Sequence, residues 1–360
     1  MLHRDRGMRP HPGRAGQSAW RSVAMLLLLG GCDSEPSGGD GLDQAAVQDG
    51  AADGGAADGG PDGAPDGALD AGTLDASADA GGPTCGSYTP ATETGTLSDP
   101  QLTEVSGIAA SRRTPGVLWL HNDSGDAPLL YATGENGRAF GRLRLPVAAD
   151  DLEDIAAAPC PGTQDACLWI GDIGDNTLSR PSIQVHAVRE PAVEGPFAEQ
   201  PAEIVQTFTV RYPDGRPADA EALAVSPTGD RFYLFTKGGD TEPRVFSWET
   251  AQPGPGALTD HGPFAPPGVA VPMGKLITGA DLHPDGRRLA VRVYTGSYEY
   301  RFAPGQDVAD LGAVAATLVT LGPLSEPQGE AIAYAADGQS LWTVSEDAAG
   351  GQPLHQYLCR

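Results

Sequence analysis

The chain has 360 residues and a formal net charge of −25, and its 49 glycines and 32 prolines mark it as rich in turns. Acidity of this size argues against nucleic acid or an anionic membrane surface as a partner, because both repel a negative protein. It suits cations and cationic partners instead.

Residues 1–32 read as an export signal. Arg4, Arg6, Arg9, Arg14 and Arg21 precede a short apolar run from Val23 to Leu29. That run is too short to span a bilayer as a permanent helix. It ends in Leu29-Gly30-Gly31-Cys32, which resembles the bacterial lipobox, in which the cysteine becomes the lipidated N-terminus. The expectation is a protein anchored in the cell envelope, facing the periplasm or the outer surface, with the bilayer as a partner through Cys32.

Residues 33–84 carry twelve acidic residues, no lysine or arginine and no aromatic residue. Such a segment cannot bury enough apolar surface to offset its ordering entropy, so a disordered tether is expected. Flexible-coil scaling gives it about 40 Å of reach.

From Cys85 to Arg360 one pattern recurs. Its clearest copy is Ala218–Lys237, ADAEALAVSPTGDRFYLFTK. Glu221 opens an apolar run from Ala222 to Val225, Pro227 and Gly229 make a turn, and Phe232–Phe235 is largely aromatic, a strand-favouring type. That is strand, tight turn, strand. The opening residues are Ser106, Glu153, Glu221, Thr278 and Glu330, at intervals of 47, 68, 57 and 52 residues. In three copies the turn glycine follows its opener by eight residues, at Gly229, Gly286 and Gly338. Further strands fall at Leu129–Thr133, Gly141–Leu145, Ile183–Val188 and Ile204–Val210. A repeat of this length with four strands per unit predicts an all-β fold, a β-propeller. The count is five four-stranded blades. Six is the alternative, because the two longest intervals can hide a degenerate unit.

The cysteines fit an exported protein. Cys160 and Cys167 flank one turn and can bridge its strands. Cys85 and Cys359 lie at the two ends of the domain, where a disulfide would lock the ring closed.

Two sets of residues can carry chemistry. The openers should line the central channel at one height, and three of them are glutamates. Two residues earlier stand Glu104, Asp151, Asp219, Leu276 and Gln328, again rich in acids. The residues just after the openers, Gly107, Asp154, Ala222, Gly279 and Ala331, are mostly small, as a crowded axis requires. Carboxylates gathered in this way suit a hard cation, Ca²⁺ above all. The ligands expected are Glu153, Glu221 and Glu330, with Asp123 and Asp172 as further oxygen donors. The competing reading is that the openers only hydrogen-bond the neighbouring blade. The second set lies where the second strands end: His121, Asn122, Asp175, Asn176, Lys237, Arg292, Tyr294 and Glu346. It predicts a polar ligand site on one open face, although Asp-Gly and Asn-rich turns are also good hairpin chemistry. The acidic runs do not match an EF-hand loop, and there is no Gly-x-Ser-x-Gly, His-Glu-x-x-His, phosphate loop or Cys-x-x-Cys.

The motifs Glu104-Val105-Ser106-Gly107-Ile108-Ala109, Leu152-Glu153-Asp154-Ile155-Ala156, Gly171-Asp172-Ile173-Gly174-Asp175-Asn176 and Gly329-Glu330-Ala331-Ile332-Ala333 resemble those of bacterial β-propeller lipoproteins. These are in turn similar to the phytase-like and SdiA-regulated propeller families. The resemblance implies a propeller whose channel acids hold calcium, and it singles out Glu153, Glu221 and Glu330. The basic phosphate-binding face of a phytase is thin here, with Lys237 and Arg292 as its main candidates. The expected function is a monomeric module that binds a small molecule or protein on the open face. The alternative is a metal-dependent hydrolase of a phosphate ester or lactone.

Overall fold

The computed structural model describes residues 85–360, apart from 124, 126, 270, 272, 322–325, 327 and 347–350. The expected export signal, its Cys32 and the tether lie outside the described residues.

The described chain forms five sheets that follow one another in sequence, each with four antiparallel strands and, in two of them, a further short parallel edge strand. The inner strands are Val105–Ala110, Leu152–Pro159, Ala220–Val225, Ile277–Leu282 and Gly329–Tyr334. Each packs beside the inner strand of the next blade, and the fifth packs beside the first, so they close a ring. This is a five-bladed β-propeller. Blade 5 takes its outermost strand, Thr92–Thr96, from the N-terminal end of the domain, paired antiparallel with Pro353–Leu358. Tyr88 also bridges Cys359. Cys85 and Cys359 are joined across this closure, with Cα atoms 5.2 Å apart. Cys160 and Cys167 are joined across the first hairpin of blade 2, with Cα atoms 4.9 Å apart.

The two long intervals hide no sixth blade. Blade 2 sends an excursion, Gln200–Pro201, to pair with the outer strand of blade 1. Blade 3 sends Gly256–Ala257 to the outer strand of blade 2. The extra residues form belts between neighbouring blades.

The repeated turn has one conformation. Gly229, Gly286 and Gly338 have φ values of 68°, 72° and 70°. L-residues rarely adopt that backbone, and glycine does so without steric cost. Their amides donate to Ser226, His283 and Ala335 at 2.8–2.9 Å, which closes each turn.

Side-chain size follows distance from the axis. Trp119, Trp169 and Trp342 on the second strands stand opposite Ala109, Ala156 and Ala333 on the inner strands. Small residues admit the crowded ring, and the tryptophans fill the widening wedge between blades. Trp169 stacks on Phe208 at 5.7 Å, and Phe232 of blade 3 meets Phe208 edge-on at 5.5 Å.

One irregularity recurs in all five blades. Asn122, Asp172, Thr236, Val293 and Ser345 end the second strands and pair with the first residue of the inner strand. The inner strand then bulges by one residue. The bulged residues are Ser106, Glu153, Glu221, Thr278 and Glu330, the five openers. A bulge re-aims a side chain that regular pleating would point elsewhere. Here it fixes five side chains at one height of the ring.

Candidate functional site

The bulged residues divide by chemistry. Ser106 donates its hydroxyl to the Glu153 carbonyl of blade 2 at 2.6 Å. Thr278 donates to the Gly329 carbonyl of blade 5 at 2.9 Å. These two openers staple neighbouring blades. The three glutamates do not follow that pattern.

Glu153, Glu221 and Glu330 are 3%, 4% and 7% exposed. Glu221 pairs with Lys237, whose Nζ lies 2.6 Å away. Glu330 accepts a hydrogen bond from Gln328 at 3.0 Å. Glu153 Oε1 is buried and has no hydrogen-bond partner among the described residues. An unpaired buried oxygen of this kind is costly and asks for an occupant.

Glu153 is also where the acids converge. Asp123, Asp151 and Glu153 each offer an oxygen within 4.8 Å of the others, and so do Glu153, Asp219 and Glu221. The residue next to the first group is Gly174. A Cβ there would stand 2.0 Å from Glu153 Oε1 and 2.5 Å from Asp151 Oδ2. The absence of a side chain at Gly174 lets both oxygens pack against its backbone, close to one another.

The electrostatics agree with the geometry. Burial, and then the charges of Glu221, Asp123 and Asp151, hold the Glu153 carboxyl well above the usual carboxylate range. Burial pushes Glu221 up to about 7, against the opposing pull of Lys237. Glu330 is raised by burial and by Glu221. Burial alone would depress the Lys237 ammonium, but Glu221, Tyr294 and Glu153 outweigh it and the net shift is upward. A cation placed among such carboxylates replaces repulsion with attraction.

Just below this mouth the axis is closed. Asp154 is fully buried, and its Oδ2 accepts the Leu223 amide of blade 3 at 2.9 Å and the Ala280 amide of blade 4 at 3.1 Å. Asp154 sits among the small residues that follow the openers, and it fills the axis by bridging three blades. Asp281, lower still, accepts the Tyr334 amide of blade 5 at 2.8 Å. The mouth is therefore a cup.

Glu330, also expected as a ligand, belongs to neither group of converging acids, and several other expected residues are bonded into the scaffold. Asp172 does not join the acidic cluster. It accepts the amides of Asp150 and Asp151 at 3.2 and 3.0 Å and pairs with Arg180 at 2.8 Å. It thereby holds the loop that presents Asp151. Asn122 has the same place in blade 1, accepting the Thr103 amide at 3.2 Å. Asp175 caps its own loop through the amides of Ser179 and Arg180. His121 is fully buried and bonded to the Asn122 carbonyl, and burial pushes its imidazole down to about 4. Arg292 is 0% exposed and paired with the equally buried Glu326 at 2.7 Å, so its guanidinium does not reach the open face. Asn176 is exposed beyond the loop cap. Lys237, Tyr294 and Glu346 do stand at the mouth, partly exposed, and Tyr294 feels the charges of Glu330, Lys237 and Glu221.

Asp151 and Asp219 join the cluster although neither was expected as a ligand. The signal was present, since both lie two residues before a glutamate opener. What the spacing did not reveal is that the bulge turns these acids and the openers toward one point.

Fold and site together define a five-bladed β-propeller whose channel mouth holds a buried acidic cluster able to bind a metal ion. Among solved structures the chain is similar to one described as "Structure of U3-55K", at 14% identity over 71% of this chain and 67% of that chain, with a TM-score of 0.36. It is also similar to "Crystal Structure of Mitotic Checkpoint Complex", at 13% identity over 70% of this chain and 62% of that chain, with a TM-score of 0.34. Likeness at this level says nothing of activity, and the propeller assignment rests on the sheet topology. No family model matches the chain, and no curated protein matches it.

Proposed function

We propose that the protein is a lipid-anchored module of the cell envelope that binds a ligand at the mouth of its propeller through a divalent cation, Ca²⁺ by the chemistry of the donors. The observation that carries this reading is the buried, unpartnered Oε1 of Glu153 among converging carboxylates. Asp123, Asp151 and Glu153 offer only hard oxygen donors, which suit Ca²⁺ in irregular geometry with water completing the shell. No complete catalytic set is present among the described residues, and propellers host many unrelated functions, which favours binding over catalysis. The acidic chain disfavours nucleic acid as the ligand. The test is calorimetric titration with Ca²⁺ and Mg²⁺. Saturable binding of Ca²⁺ that disappears in Glu153→Gln supports the reading, and no heat beyond dilution refutes it.

A second reading has one observation in its favour. Lys237 and Tyr294 stand beside the carboxylates on the open side of the cup. A cation with a neighbouring ammonium can bind and polarise an oxyanion, as a metal-dependent hydrolase of a phosphate ester or lactone requires. Calcium-dependent turnover of p-nitrophenyl phosphate or of a simple lactone, lost in Lys237→Met, would favour it.

A further inference from the structure

The two carboxylate groups at the mouth share Glu153, which is how a protein bridges two cations. They differ in what else reaches them. Three positions recur in each blade at the level of the mouth: the opener, the residue two before it, and the residue just after the second strand. The last set is Asp123, Ile173, Lys237, Tyr294 and Glu346. Of these fifteen positions eight are acidic, namely Glu104, Asp123, Asp151, Glu153, Asp219, Glu221, Glu330 and Glu346, and Lys237 alone is basic.

Lys237 makes its ion pair within one group, at Glu221. Its Nζ is 2.6 Å from Glu221 Oε1, and its side chain is 20% exposed. Its backbone is pinned on both sides, the amide donating to the Asp219 carbonyl at 2.9 Å and the carbonyl accepting the Ile277 amide at 3.0 Å. The ammonium therefore belongs to the group formed by Glu153, Asp219 and Glu221. In the neighbouring blade the equivalent position is Ile173, which brings no charge. There the group of Asp123, Asp151 and Glu153 keeps the unpartnered Glu153 Oε1, and only the side-chain-free Gly174 lies against it.

We propose that Lys237 is the resident cation of the Glu153–Asp219–Glu221 group, so that the mouth takes a single divalent ion, at Asp123, Asp151 and Glu153, where an unsubstituted pair of sites would take two. The proposal rests on the reading of the mouth as a cation site. It makes Lys237 the residue that fixes the number of ions. It also places a fixed ammonium next to the ion, so the ligand this cup suits is one whose oxyanion can touch both.

The test counts Ca²⁺ ions bound by the full chain in equilibrium dialysis. Glu153→Gln, which removes the carboxylate common to both groups, sets the zero. Above that zero the expected counts are one for the wild type, two for Lys237→Met and one for Lys237→Arg, which keeps the charge. Melting curves establish that each variant is folded, and Lys237→Gln replaces the Met variant if that one is not. One ion in both wild type and Lys237→Met overturns the assignment of Lys237 and leaves the cation site intact. Two ions in the wild type overturn it as well. No ion in the wild type but one in Lys237→Met supports the resident ammonium and refutes the calcium-binding function. No ion in either refutes both.

Discussion

The Ser106 hydroxyl donates to the backbone carbonyl of Glu153 at 2.6 Å, so the opener of one blade holds the backbone that carries the acid of the next. The same relationship joins Thr278 to the carbonyl of Gly329, the residue before Glu330. The hydroxyl members of the ring thus fix the backbone from which two of its glutamates project.

Removing these staples should cost stability. Ser106→Ala and Thr278→Val each leave a buried carbonyl without its donor. The expected loss is about 1–3 kcal/mol per site. Urea unfolding measures it. A loss well under 0.5 kcal/mol at both sites would mean that the staples are incidental, since about 0.5 kcal/mol is the floor for a net hydrogen bond.

Asp281 predicts a dependence on pH. Burial pushes its carboxyl up to about 7, well above an ordinary aspartate. The folded chain therefore keeps this proton over a range in which the unfolded chain has released it. Stability contributed here is highest below the unfolded pKa, near pH 4, and falls as pH rises toward 7, by up to about 1.4 kcal/mol per unit. Asp281→Asn keeps an oxygen to accept the Tyr334 amide but cannot ionise. Its stability relative to wild type should be near zero at pH 4 and clearly positive at pH 8. A difference that does not change with pH would contradict the assignment.

Arg292 and Arg144 separate a buried ion pair from a surface one. Arg292 and Glu326 are both fully buried, with Thr343 and His355 also bonded to the glutamate. Arg144 and Glu199 are 47% and 37% exposed. Arg292→Met strands a buried carboxylate and should cost about 3–5 kcal/mol. Arg144→Met should cost less than about 1 kcal/mol. Equal costs in a chemical-denaturation series would show that the Glu326 network does not hold the blade 4–blade 5 boundary.

Gly174 tests the packing of the mouth rather than its charge. Its φ is ordinary, so alanine is acceptable to the backbone. The added Cβ would meet Glu153 Oε1 and Asp151 Oδ2 and must displace them. Gly174→Ala should therefore lose the thermal stabilisation by Ca²⁺ while keeping all its carboxylates. Full retention of that response would place the ion elsewhere.

Much of the fold was legible in the sequence because a propeller repeats its local code. The turn glycines, the apolar second strands and the spacing of the openers each report a local requirement, and five copies of a weak signal make a strong one. The blade count was less legible. The residues that lengthen the intervals pair with neighbouring blades, and their strands, Gln200–Pro201 and Gly256–Ala257, are two residues each. The site was legible in part. Glu153, Glu221 and Asp123 are acids at repeated positions, and the structure sets them with Asp151 and Asp219 in two groups that share Glu153. Asp172 and Arg292 looked equally suitable, because sequence records charge but not partner. One is taken up by the amides that precede Leu152, and the other by Glu326 in the segment that leads from blade 4 to blade 5.

A divalent cation held by the carboxylates around Glu153 would be seen most directly in the melting temperatures of wild type and Glu153→Gln, each in millimolar Ca²⁺ and in chelator. Binding to the folded state alone stabilises it by mass action, by about 2.7 kcal/mol at a hundredfold excess over the dissociation constant. Wild type should melt higher in Ca²⁺ than in chelator. Glu153→Gln should melt at one temperature in both, and in chelator it should melt above wild type, because the amide removes a buried repulsion of about 1–4 kcal/mol per close pair. A wild-type melting curve that is the same in Ca²⁺ and in chelator would contradict cation binding at Glu153.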